Sequence, residues 1–203
     1  MDLQAALGRA GLVVILANSG PAAASGQRLD QPHIVVSVVN EAGVLPRIIK
    51  NGQMRITAIY EAIGVAVTWV DTYLDVPNVC IVKIVDEGGA EGVNAPPDAV
   101  GMGFTNEESG GGLVYVFYDR IAHVSDRDHL DSAALLGAVI AHELGHLLLP
   151  SGSHSTRGLM RAGWNRSDTL TADGLRFTAE QGVRIRGRLE SRTQGSVWAA
   201  HKI

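Results

Sequence analysis

The chain has 203 residues, a formal charge of −4, and 46% hydrophobic against 19% charged residues. This describes a globular chain with enough apolar material for one core and excludes a disordered one. The mild acidity and the lack of a basic run argue against nucleic acid as a partner. The single cysteine, Cys80, rules out an internal disulfide or a cysteine-based zinc cluster.

In residues 1–25, Arg9 precedes a short apolar run, Gly11-Leu12-Val13-Val14-Ile15-Leu16-Ala17, followed by the small-residue stretch Pro21-Ala22-Ala23-Ala24-Ser25. This pattern reads as a secretory signal peptide, which makes the expected location secreted or periplasmic. The other reading is a first buried strand or a frayed terminus. Seven apolar residues are too few to span a bilayer, so no transmembrane span is expected.

Residues 26–203 are expected to form one domain. His33 to Val39 is a β-branched run and reads as a strand buried on both faces. Leu45, Ile48, Ile49, Ile56, Ile59 and Ile63 recur at helical spacing between Pro46 and Gly64, so 45–63 reads as one helix. Asn51-Gly52 is its weak point. Val65 to Asp71 returns as a strand, and this β-α-β order predicts parallel pairing. Asn78 to Val85 is a third strand and 87–97 a loop. Residues 98–104 are an edge strand, 105–112 a glycine-rich loop, and Leu113 to Asp119 a strong strand. Residues 121–131 read as a polar connector. Thr178 opens a last helix, with Ile185 and Leu189 as its apolar pair, running to about Glu190.

Between the connector and the last helix lies Ala141-His142-Glu143-Leu144-Gly145-His146, which carries the pattern H-E-x-x-H. On a helix, His142 and His146 share a face and can present two imidazoles to one metal ion. Glu143, about 100° round the helix, can reach a water beside it. From Ala133 to Leu149 every other residue is apolar or glycine, which predicts a helix buried on all sides, capped by Asp131 or Ser132. A carboxylate and two imidazoles are costly to bury unpaired, and a dication would pair with them. The bland alternative is two core histidines bonded to backbone.

A catalytic Zn2+ takes three protein ligands and leaves one position open. His154, after the Pro150-Ser151-Gly152 turn, is the preferred third ligand. Asp168, Asp173 and Glu180 are its rivals. In this scheme Glu143 is the general base of a hydrolysis.

H-E-x-x-H, a third histidine after a turn and a methionine shortly beyond (Met160, in Gly158-Leu159-Met160) resemble the metzincin branch of the zincin metallopeptidases. The resemblance covers 33–164 in outline, with specific motifs only over 142–160. It implies an α+β fold: a twisted mixed sheet, a backing helix, an active-site helix and a small C-terminal helical subdomain, divided into 33–149 and 150–203. It implies a zinc peptidase with one catalytic ion, a peptide or protein substrate bound along the edge strand, and Met160 as the Met-turn. Three departures stand out. The family's glycine three residues after the second histidine is Leu149 here. The third histidine comes two residues late. No tyrosine follows Met160, and Trp164 lacks an ionisable hydroxyl. The alternative function is a zinc- or peptide-binding protein without proteolytic activity.

Elsewhere, His123, Asp126, Asp128, His129 and Asp131 read as a solvated loop whose acids complement a helix N-terminus, with a second metal site as the sharper alternative. Asp119-Arg120 reads as a loop-fixing ion pair, and Cys80 as a small buried hydrophobe.

Overall fold

The computed structural model describes residues 31–71, 78–105, 111–150, 152–170 and 175–200. The signal-peptide assignment for 1–25 and the rival ligand Asp173 therefore lie outside the described residues.

The fold is α+β. Its elements run β1 (His33–Asn40), α1 (Pro46–Glu61), β2 (Ala66–Val70), β3 (Val79–Val85), α2 (Glu87–Gly92), β4 (Gly101–Thr105), β5 (Gly112–Phe117), α3 (Tyr118–Asp128), α4 (Ser132–Leu148), α5 (Arg166–Leu170) and α6 (Ala179–Ala200). They build a five-stranded sheet in the order β2-β1-β3-β5-β4. The first four of these strands are parallel, and β4 closes one edge antiparallel to β5.

One face of the sheet carries the main core. Ile34, Val36, Cys80, Val82, Ile84, Val114 and Val116 point into it and are buried against α1 and α4. The opposite face is covered over only part of its width, where Val85 and Phe117 pack with Ala90 of α2. β1 is thus not buried evenly on its two faces, because Val35 and Val39 stay half-exposed. A β-branched run signals a strand, but what covers each face is decided by elements far along the chain.

α1 runs unbroken through Asn51-Gly52. Gly52 is the point where α1 meets α4. A Cβ on Gly137 would stand 2.7 Å from the Gly52 carbonyl oxygen, and a Cβ on Gly52 would meet the Ala133 carbonyl oxygen at 3.5 Å. The bare Cα of Gly137 lets the two backbones approach this closely, whereas a Cβ at position 52 would make an ordinary contact. The Tyr60 hydroxyl, fully buried on α1, adds a hydrogen bond to the Ala141 carbonyl at 3.2 Å.

Two segments expected to be irregular are helical. α2, EGGAEG, has weak intrinsic propensity but is capped by Asp86, whose side chain accepts from the Gly89 N–H at 2.9 Å, and it buries Ala90. α3 follows β5 directly, and its polar sequence hides a narrow inner stripe with Ile121 and Ser125 buried. It ends at His129, which adopts the left-handed conformation at φ 54°. At its other end Arg120 pairs with Glu87 rather than with Asp119, while Asp119 accepts from the Glu87 N–H at 3.0 Å.

α4 starts where Asp131 accepts from the Ala134 N–H at 2.8 Å. Every residue from Leu135 to Leu148 except His146 is buried. α6 is longer than its sequence suggests and runs to Ala200. Thr178 and Gln181 cap it reciprocally, with Thr178 N–H to Gln181 Oε1 at 2.9 Å and Gln181 N–H to Thr178 Oγ1 at 3.2 Å. Ile185 and Leu189 are its buried pair. Among the described residues no helix is long and apolar enough to cross a membrane.

The close crossing yields a prediction. Gly137→Ala is expected to lower unfolding free energy by about 1–3 kcal/mol, because its Cβ meets backbone rather than a side chain that can move. Urea denaturation checks this. An unchanged midpoint would show that the α1–α4 spacing is not set by Gly137.

Candidate metal centre

α4 fixes two of the three histidines by helical geometry alone. The Nε2 atoms of His142 and His146 lie 3.0 Å apart. After His146 the helix ends at Leu149, which is extended at φ −102° and ψ 160°. The glycine expected by resemblance at that place is unnecessary, because Gly152 makes the turn with φ +74°. The chain then comes back under the helix. Ser155 N–H donates to the Met160 carbonyl at 2.8 Å, closing the 155–160 loop. This return brings His154 to the pair: its ring centroid lies 4.8 Å from that of His146 and 5.6 Å from that of His142.

One ligand nitrogen from each of His142, His146 and His154 lies within 4.8 Å of the others, so the three could hold a metal ion. Among the described residues this is the one group of histidine, cysteine or carboxylate side chains so arranged. His123, Asp126 and His129 on and beside α3 do not join in such a group. The two rivals for third ligand among the described residues are engaged elsewhere. Asp168 accepts from Arg161 Nη1 at 2.8 Å and from the Asn165 N–H at 2.8 Å. Glu180 pairs with Arg184 at 2.7 Å on the exposed side of α6.

The donor set suits zinc. Zn–N bonds of 2.0–2.1 Å in a tetrahedron separate ligand nitrogens by about 3.3 Å, close to the His142–His146 spacing. His142 Nδ1 lies 2.7 Å from the Leu159 carbonyl oxygen, so Nδ1 carries the proton and Nε2 turns its lone pair toward the other histidines. Burial lowers the pKa of His142 against the opposing pull of that carbonyl. Burial, reinforced by His142 and His154, pushes His146 down to about 4. The net downward direction keeps the imidazoles of His142 and His146 neutral, the form that ligates.

Met160 is fully buried beneath the site. A Cβ on Gly145 would stand 2.6 Å from its sulfur and 2.9 Å from the Phe177 ring, so α4 can rest on Met160 only because residue 145 is glycine.

Glu143 is 8% exposed, and burial raises its carboxyl from 4.5 to about 7. The edge strand lies directly over it. A Cβ on Gly101 would stand 2.8 Å from Glu143 Cγ and 3.0 Å from Oε1, and one on Gly103 would meet the Glu143 carbonyl oxygen at 3.2 Å. Alternate glycines in β4 therefore make room for the acid. They were visible in the sequence only as a glycine-broken strand; their period of two, on one face, is the signal that a side chain from another element packs there. The segment entering β4 is clamped by Arg120, whose Nη1 donates to the carbonyls of Pro96 at 2.6 Å and Ala99 at 2.7 Å while its ring-side face covers Phe117.

The three histidines and Glu143 open into one cavity of about 520 Å³. Its apolar wall includes Val124, Leu130, Leu135 and Val139, and Arg127, Arg161 and Trp164 also border it.

No family model and no curated protein matches this chain. Among solved structures, it is similar to a zinc-dependent peptidase from Methanocorpusculum labreanum, with 15% sequence identity and a TM-score of 0.46 over 74% of this chain and 99% of that one.

The raised Glu143 carboxyl makes stability depend on pH. The folded state holds the proton more tightly than the unfolded chain, so its penalty is absent below the unfolded value near 4.5, grows as pH rises, and is complete above about 7. In metal-free protein, Glu143→Gln is therefore expected to raise unfolding free energy by about 1–3 kcal/mol at pH 8, and by less toward pH 5. Denaturant titrations at the two pH values check this. An equal effect at both would mean that the carboxylate is not disfavoured by burial.

Proposed function

We propose that this chain is a zinc-dependent peptidase in which His142, His146 and His154 hold the ion and Glu143 is the general base. The observation that carries the reading is the convergence of three imidazole nitrogens beside a buried carboxyl in one cavity. A site built only to bind metal has no use for that acid. Burying it costs stability, and such a cost is typically retained where the group acts.

Zinc, when bound, supplies Lewis acidity and makes water acidic enough to be a nucleophile at neutral pH. Glu143 takes the proton of the attacking water and delivers it to the leaving amine nitrogen. The Leu159 carbonyl keeps His142 in the ligating tautomer. Gly101 and Gly103 leave the carboxyl uncovered by side chains on the strand side.

A peptide substrate is favoured over other amides by the edge of the sheet. Among the described residues β4 pairs with β5 on one side only, and so offers backbone donors and acceptors on the other to an extended chain. A peptide added there would run beside the strand whose Gly101 and Gly103 face Glu143. The fold and the H-E-x-x-H, late histidine and Met160 arrangement support a metzincin-like assignment, and the character of residues 1–25 supports an exported enzyme.

Glu143→Gln provides the test. It is expected to keep the zinc content of the wild type while hydrolysis of a denatured generic protein substrate falls by about 10²–10⁴-fold. Wild-type hydrolysis should also stop on chelation and return with zinc. If wild-type protein binds zinc yet cleaves nothing, the site is a binding centre. If the Gln variant cleaves at the wild-type rate, Glu143 is not the base.

A further inference from the structure

Trp164 has no part in the chemistry just described, yet it touches the site at two points. Its indole N–H donates to the Leu159 carbonyl at 3.1 Å, and its ring packs edge-on to His142 with centroids 5.5 Å apart at 80°. The same carbonyl oxygen lies 2.7 Å from His142 Nδ1. One buried oxygen therefore serves two donors, one from a histidine of the cluster and one from a residue of the cavity wall.

We propose that Trp164 is a positioning residue for the metal centre: its indole N–H holds the Leu159 carbonyl in the direction that fixes the His142 ring. This inference rests on the zinc reading of the three histidines.

The peptide around Leu159 is held at both ends. Leu159 N–H donates to the Arg176 carbonyl at 2.8 Å, and the Leu159 side chain is fully buried. A Cβ on Gly158 would come within 2.6 Å of that same Arg176 oxygen, so the two segments lie close there and the turn at φ +74° has little freedom. The carbonyl is the remaining soft point. A carbonyl has two lone-pair directions, and the indole N–H occupies one while His142 uses the other. Without the indole donor the oxygen can tilt in the plane of the two partners, and the imidazole tilts with it. Ligand orientation set by such outer partners typically accounts for 10–100-fold in metal affinity.

Two substitutions separate the hydrogen bond from the packing. Trp164→β-(3-benzothienyl)alanine replaces the indole N–H with sulfur and keeps the shape of the ring system. Trp164→Phe removes both the donor and part of the packing. Zinc affinity is read by competition with a chromophoric chelator, and folding by thermal unfolding of the metal-free proteins. The benzothienyl variant is expected to melt as the wild type does and to bind zinc about tenfold more weakly, with the Phe variant at least as weak. If the benzothienyl variant binds as tightly as the wild type, the inference is wrong, even if Trp164→Phe weakens binding, because packing alone then explains the loss. If the wild type itself binds no zinc, the inference falls together with the reading it rests on. Wild-type affinity beside an unaffected benzothienyl variant overturns the inference alone.

Discussion

A helix with almost no polar surface must be covered on every side, and the rest of this molecule is arranged to cover α4. α1 lies against it through the paired glycines at 52 and 137, β4 and β5 lie across another side, α3 flanks its first half, and Met160 and Phe177 support it at Gly145. Each of these contacts removes apolar surface from water, at roughly 25 cal/mol per Å². The same arrangement leaves His142, Glu143 and His146 lining the cavity.

That geometry explains why the polar groups behave as they do. Placed mid-way along a buried helix, Glu143 and the two histidines are stripped of most of their water, and desolvation is the leading cause of every shift found in them. The protein returns few hydrogen bonds in compensation. His142 has the Leu159 carbonyl, and Glu143 is met chiefly by the bare backbone of Gly101 and Gly103. The histidine nitrogens point at one another. Neutral imidazoles beside a reluctant carboxylate are a poor arrangement for stability and a good one for receiving a dication.

Much of the site was legible in the sequence because its parts obey local periodicity. His142, Glu143 and His146 follow from helical spacing within an apolar run, and His154 from a Pro/Gly turn that had to end the helix. The β-α-β order through 71 likewise followed from alternating strand and helix patterns. What escaped has a common character. The Leu159 carbonyl is backbone and leaves no mark in a side-chain code. Gly101 and Gly103 matter for the atoms they lack. α3 buries only Ile121 and Ser125, too few to show a period, and α2 is helical because Asp86, Asp119 and the buried Ala90 hold it so. The glycine at 52, which looked like a weakness in α1, sits inside an unbroken helix where Gly137 of α4 comes close to its carbonyl. In each case the decisive partner is distant in sequence.

In the proposed site the late histidine completes a zinc centre with the two on the helix. Its most direct test is zinc stoichiometry and affinity of the purified protein, with wild type beside His154→Ala. One tightly held zinc is expected in the wild type and binding weaker by orders of magnitude in the variant, with both proteins folded. Full affinity in the variant would contradict it and move the third ligand elsewhere in the chain. A wild type that takes up no zinc would make His142 and His146 ordinary core histidines.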